Sequence, residues 1–168
     1  MLIAVTRPVS ASLANCELTH LAREPIDVAR ATVQHDAYER LLGSLGAAVT
    51  RVPAAPELAD AVFVEDTAIV LDELAVITRP GAASRRPESA AVASVLSAWR
   101  PLHTLTAPAT LDGGDVIRLG RTLYIGRSGR SNDAGIAQLR GCLEPLGYRV
   151  VCASRPWMAA NSRRPKAP

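Results

Sequence analysis

Apolar residues run through this chain in two rhythms. Short unbroken runs at 2–6, 48–52, 61–64, 68–71 and 74–78 have the length and composition of buried strands. Between them, apolar positions recur at helical spacing. Over 27–45, Val28, Ala31, His35, Tyr38, Leu42 and Leu45 fall on one face, with Gly46 placed to cap the helix. A second helix starts near 84–87 and carries Val92, Val95, Leu96 and Trp99 until Pro101 stops it. The third begins at Ser131 with Ile136, Leu139, Leu143 and Leu146 on one face and ends at Gly147. Runs at 102–105, 116–119, 122–125 and 148–152 complete the strands, and 68–71 with 74–78, like 116–119 with 122–125, reads as a hairpin.

This order contains a repeat. Phe63-Val-Glu-Asp66, a hairpin, Arg79, a basic loop, a helix and a strand are followed by Asp112-Gly-Gly-Asp115, a hairpin, Arg127, a basic loop, a helix and a strand. Asp66 and Asp115 lie 49 residues apart, a period typical of repeat architectures. Each unit is ββαβ, and the N-terminal strand-helix-strand forms most of another. Units that cannot cover their own faces stack on neighbours, so the pattern predicts an α/β fold with a pseudo-symmetric, propeller-like ring whose equivalent loops converge on one site.

Composition narrows the setting. At 168 residues, 48% hydrophobic and 21% charged, the chain has material for one domain and excludes wholesale disorder. No apolar run approaches the roughly 18–20 residues of a membrane span, and the N-terminus lacks signal-peptide order, so no membrane partner is expected. Three cysteines, Cys16, Cys142 and Cys152, make no paired framework, which points to a reducing cytoplasmic location. The net charge of +3 owes much to residues 155–168, which hold four of the 19 basic residues and none of the 16 acidic ones. An excess of basic over acidic residues confined to a tail, without interleaved aromatics, points away from nucleic acid.

The acids Asp60, Glu65, Asp66, Asp112 and Asp115 sit beside apolar residues or glycines in the repeated loops, where Gly113 and Gly114 permit close backbone approach. Turn formation and capping explain such acids better one at a time, and equally well for two motifs at equivalent repeat positions. Arg85 and Arg130 stand near helix N-termini, an unfavourable place for a cation, and a ligand carboxylate would account for them. Acids from one set of loops and arginines from another suit a zwitterionic amino acid with a cationic tail. His35 reads as a packing residue, and Cys16 with His20 as a weak metal pair.

Thr6-Arg-Pro8, Ser12-Leu13, Gln34-His35 with Tyr38, and Asp60-Ala-Val-Phe-Val-Glu-Asp66 resemble the dimethylarginine dimethylaminohydrolase family. So do Ile77-Thr-Arg-Pro-Gly-Ala with Ser84-Arg-Arg86, Thr110-Leu-Asp-Gly-Gly-Asp115 and Gly126-Arg-Ser with Arg130 and Asn132. These matches are ordered and cover about residues 1–150. The resemblance implies an α/β propeller (pentein) of five ββαβ modules, of which about three lie within 1–152; the composition of 153–168 reads as a disordered tail. It implies a cofactor-free hydrolysis. A Cys thiolate attacks the guanidinium carbon of a methylated arginine, dimethylamine leaves, and water releases citrulline with a His as acid and base. Position by position, it places Asp66 on the guanidinium, Asp60 on the substrate amino group and Arg85 and Arg130 on its carboxylate. It puts Asp112 beside the catalytic His, and Leu18 and Glu65 along the pocket. No metal is required. The family's His and Cys have no counterpart here: no histidine follows His103, and neither Cys142 nor Cys152 stands in the nucleophile's context. An inactive chain with self-associating module edges is therefore expected, or a guanidino-binding fragment that needs a partner chain. A deiminase or amidinotransferase relative is a further reading.

Overall fold

The computed structural model describes residues 1–18 and 22–153. His20 and the expected tail beyond Ala153 lie outside them. Three small sheets follow one another along the chain. The first pairs β1 (Leu2–Thr6) parallel to β2 (Ala47–Arg51), with α1 (Val28–Ser44) as the crossover. In the second, β3 (Ala68–Val70) runs antiparallel to β4 (Ala75–Ile77), and β4 runs parallel to β5 (Leu102–Thr104) after α2 (Glu88–Leu96). The third repeats this arrangement with β6 (Val116–Leu119), β7 (Thr122–Gly126), α3 (Asp133–Leu143) and β8 (Arg149–Ala153). The repeat expected from the sequence is thus two ββαβ units, preceded by a βαβ unit that lacks only the antiparallel strand.

Local chemistry sets the boundaries. Asp27 caps α1 by accepting from the Arg30 N–H, and Asn132 caps α3 by accepting from the Gly135 N–H. Gly147 adopts φ 80° after a 3-10 turn at Glu144–Leu146, where Pro145 interrupts the α-helical ladder. Two expectations differ. Residues 61–64 form turns and the start of a 3-10 segment (Val64–Asp66), not a strand, because Ala61, Phe63, Asp66 and Thr67 each donate their N–H to a carbonyl three residues back. Those donors are unavailable to a ladder. The α1 stripe is also poorly covered: Tyr38 and Leu45 are 53% and 73% exposed, and Glu39 is the one buried residue of the helix. Two strands give that helix a narrow floor.

The main core joins the second and third units. Ile69, Leu71, Val76, Leu111, Leu123, Ile125, Leu139 and Leu143 pack together, and each such buried side chain contributes about 1.5–3 kcal/mol. A smaller cluster of Val52, Ala75, Ile77, Val92 and Leu96 joins the first unit to the second. At the outer rim Arg121 stacks on Tyr148 with 4.3 Å from guanidinium to ring centre, while the Tyr148 hydroxyl donates to Glu73 at 2.7 Å. The units are therefore locked by apolar packing inside and by polar contacts outside.

Candidate functional site

The site grows from the short turns that precede each hairpin. The 3-10 turn Val64–Asp66 leads into β3, and the 3-10 turn Gly113–Asp115 leads into β6. These two turns press backbone against backbone. A Cβ on Gly113 would lie 2.0 Å from the Glu65 carbonyl oxygen, and one on Gly114 would lie 2.6 Å from Asp66 Oδ1. Glycine is required there because a main-chain N–H must reach the acid. Gly114 N–H donates to Asp66 Oδ1 at 2.9 Å.

The other oxygen, Asp66 Oδ2, accepts from Arg85 Nη1 at 2.6 Å. Arg85 stands at the end of the 3-10 turn Ala83–Arg85 and is 2% exposed. Its Nε and Nη2 donate to Glu88, with Nη2 to Oε2 at 2.9 Å, and Nη2 also reaches the carbonyls of Asp60 and Phe63. Burial works to lower the Arg85 pKa, but the hydrogen bonds and charges of Glu88 and Asp66 overcome it and raise it. For Glu88, burial pushes the carboxyl up against the pull of Arg85. Both Glu88 oxygens accept N–H groups, an arrangement that fits the carboxylate and not the acid. The Arg85 fork, expected to meet a ligand carboxylate, bonds the protein carboxylates of Glu88 and Asp66 here. They also supply the anions that make an arginine tolerable before α2.

Asp60 is 6% exposed, and both its oxygens accept from Glu17 N–H, at 3.0 and 3.2 Å. Leu18, next in the chain, is 38% exposed. Ser84 Oγ donates to Glu17, tying this N-terminal segment to the Arg85 turn. Glu65 is exposed and lines a cavity of about 280 Å³ with Thr6, His35, Tyr38, Leu42 and Val64. Partial burial pushes its carboxyl up, the Asp66 charge adds to the rise, and Arg85 opposes it.

The third unit supplies the second pole. Asp112 is 3% exposed; its Oδ1 accepts from Gly81 N–H at 2.9 Å and its Oδ2 from Arg130 Nη1 at 3.3 Å. Ser131 Oγ accepts from Asp112 N–H and donates to Asp115 Oδ2. Asp60, Asp66 and Arg85 are thus brought together, and Asp112 with Arg130 forms a separate pair joined to them through Gly81 and Gly114. Glu88 was missed from the sequence, although its place three residues after Arg85 in the first turn of a helix is a readable pairing signal. Among the described residues one group could hold a metal: His35, Asp36 and Glu39 have ligand atoms within 4.8 Å of one another. Thr6 and Arg51 already occupy the Glu39 oxygens, so a cation there would have to displace Arg51.

No family model matches the chain. It is 46% identical over 149 residues to the N(G),N(G)-dimethylarginine dimethylaminohydrolase of Streptomyces coelicolor, covering 88% of this chain and 58% of that protein. It is 37% identical over 131 residues to the enzyme of the same name from Pseudomonas aeruginosa, covering 77% and 51%. The chain therefore spans about half the length of these curated relatives. A solved Cys-to-Ser mutant of the Pseudomonas aeruginosa protein, complexed with citrulline, superposes with a TM-score of 0.86 at 32% identity, covering 94% of this chain and 63% of that one. The N-terminal domain of an arginine dihydrolase, ArgZ, gives 0.75 at 21% identity and shares the fold. Among the described residues no helix is long and apolar enough to cross a membrane.

Proposed function

Starting from a chain homologous to the dimethylarginine dimethylaminohydrolases, we propose that it provides the substrate-reading part of a hydrolase for methylated arginine. The observation that carries this reading is the junction of the two repeated turns, where Gly114 N–H and Arg85 hold the Asp66 carboxylate from two sides. A carboxylate fixed in this way is ready to meet a planar guanidinium without reorganising. Asp66 takes that group, with Glu65 beside it, and Asp60 takes the substrate amino group next to Leu18. Arg130 takes the carboxylate, exchanging its contact with Asp112. Arg85 meets the ligand only by giving up a protein partner, so its first role is to hold Asp66. Asp112 is the orienting acid for a catalytic His. The three units are read as consecutive modules of a five-module α/β propeller.

Cys142 is not read as the nucleophile: its Sγ donates to the Leu139 carbonyl on α3, and burial pushes its thiol up, away from the reactive thiolate. The 168-residue chain accordingly binds guanidino amino acids weakly, with part of the ligand left in water, and releases no citrulline. Calorimetry with asymmetric dimethylarginine tests the binding, which Asp66→Ala should abolish. Unchanged affinity in Asp66→Ala would remove the site assignment. Citrulline release that disappears in Cys142→Ser or Cys152→Ser would overturn the inactivity.

A further inference from the structure

Glu88 does not face the rim of the candidate site, and no motif draws attention to it. It is nevertheless the most enclosed acid near that site, at 2% exposure. Arg85, equally enclosed, divides its guanidinium between two carboxylates. Nε reaches Glu88 Oε1 and Oε2 at 3.2 and 3.3 Å and Nη2 reaches Oε2 at 2.9 Å, while Nη1 reaches Asp66 Oδ2 at 2.6 Å. The remaining charges that face Glu88 are Arg7 and Asp60, of opposite sign, and Arg7 bonds to the Glu88 backbone carbonyl, not to its carboxylate.

One positive charge between two negative ones leaves a net negative charge. Its only partly accessible end is Asp66, whose side chain is 18% exposed against 2% for both partners. Without Glu88, Arg85 and Asp66 would form a neutral pair. The attraction for a cation would then fall to what the neighbouring exposed Glu65 supplies.

We propose that Glu88 is the buried countercharge that sets the charge selectivity of the Asp66 site. It takes up the positive charge of Arg85 and leaves Asp66 the net anion, so that a guanidinium is preferred over a neutral ureido group of the same shape. Glu88 touches no ligand and acts as a positioning residue. The inference rests on the reading that Asp66 meets the guanidinium.

The test compares two ligands and two variants of the full chain. Asymmetric dimethylarginine carries the cation and citrulline is its neutral counterpart. Glu88→Gln keeps hydrogen-bonding capacity and removes the charge; Glu88→Asp keeps the charge on a shorter arm. Glu88→Gln should weaken dimethylarginine about tenfold and citrulline less than about twofold, as a charge removed several ångströms away in a partly dry site predicts. Glu88→Asp should keep the wild-type ratio of the two affinities. Equal losses for both ligands in folded Glu88→Gln, or no loss for either, would overturn the proposal.

A ligand-free arm separates this from a failure of the functional reading. The Gly114 amide donates to Asp66 and reports its position directly. Should the wild-type chain bind neither ligand, the functional reading falls. The control of Asp66 by Glu88 then stands if the Gly114 amide resonance moves in Glu88→Gln and not in Glu88→Asp, and falls if it moves in neither.

Discussion

The turn at 63–66 and the turn at 112–115 occupy the same place in two consecutive units, yet they hold their terminal acids by different chemistry. Asp66 is held by a buried arginine from the turn before α2. Asp115 is held by two hydroxyls, Ser128 and Ser131, from the loop before α3, each at 2.6 Å. The scaffold therefore fixes where an acid sits, and the residue ahead of the following helix fixes whether its partner is an ion or a neutral dipole. The charged version needs a second buried carboxylate, Glu88, to balance it. The neutral version needs none.

Arg85→Ala breaks this comparison most severely. It leaves Glu88 and Asp66 without their shared cation, and an uncompensated buried charge costs about 3–5 kcal/mol. Chemical denaturation should show the loss, and a change below about 1 kcal/mol would mean the pair is solvated in the native state. Gly113→Ala separates the two turns instead, because its Cβ would meet the Glu65 carbonyl oxygen at 2.0 Å and backbone must shift. A loss of about 1–3 kcal/mol is expected, together with displacement of the Gly114 amide resonance; an undisturbed spectrum would contradict the contact. Ser131→Ala removes the neutral counterpart, taking one bond from Asp115 and the acceptor from Asp112 N–H. About 1–2 kcal/mol should be lost, less than for Arg85→Ala, and the reverse ranking would undo the contrast between ionic and dipolar partners.

The smallest effect concerns Glu65, whose counterpart in the other turn is Gly114. Its folded pKa lies above the ordinary 4.5 because burial and Asp66 oppose its charge. The unfolded chain therefore releases this proton first, and stability falls as pH rises through about 4.5 toward the folded value. Glu65→Gln should be more stable than wild type at neutral pH by less than about 1 kcal/mol, since the residue is exposed. That advantage should vanish below the ordinary carboxylate range. A pH-independent difference in melting temperature would show that Glu65 acts through packing.

Much of the fold was legible because its signals are local. Hairpins at Asp72–Glu73 and Gly120–Arg121, helix faces and the Gly147 stop are all written in neighbouring residues, and the period of the repeat followed from them. The apolar run at 61–64 misled because strand and 3-10 turn share its composition; only the i−3 carbonyls that capture its N–H groups distinguish them. The acids and glycines of the site were also legible, as residue types in repeated positions. The partners of Arg85 were not. Whether an arginine faces a ligand or a buried glutamate depends on packing among Asp60, Phe63 and α2, which sequence spacing leaves open. The exposed face of α1 escaped for a related reason: helical periodicity identifies an apolar stripe and is silent on what covers it.

The separateness of the three sheets has a consequence for the order in which the molecule is built. Every strand pair among the described residues lies within one unit, so the second unit can close its sheet once Thr104 has been synthesised and the third once Ala153 follows. A unit's own strands need no later segment, so its sheet can close as soon as its last strand has emerged. The bonds that define the site cross between units instead. Gly114 to Asp66 spans 48 residues and Gly81 to Asp112 spans 31, and each joins one unit to the next. On a nascent chain the scaffold thus matures unit by unit from the N-terminus, and Asp66 acquires its final orientation only after the following unit has arrived beside it.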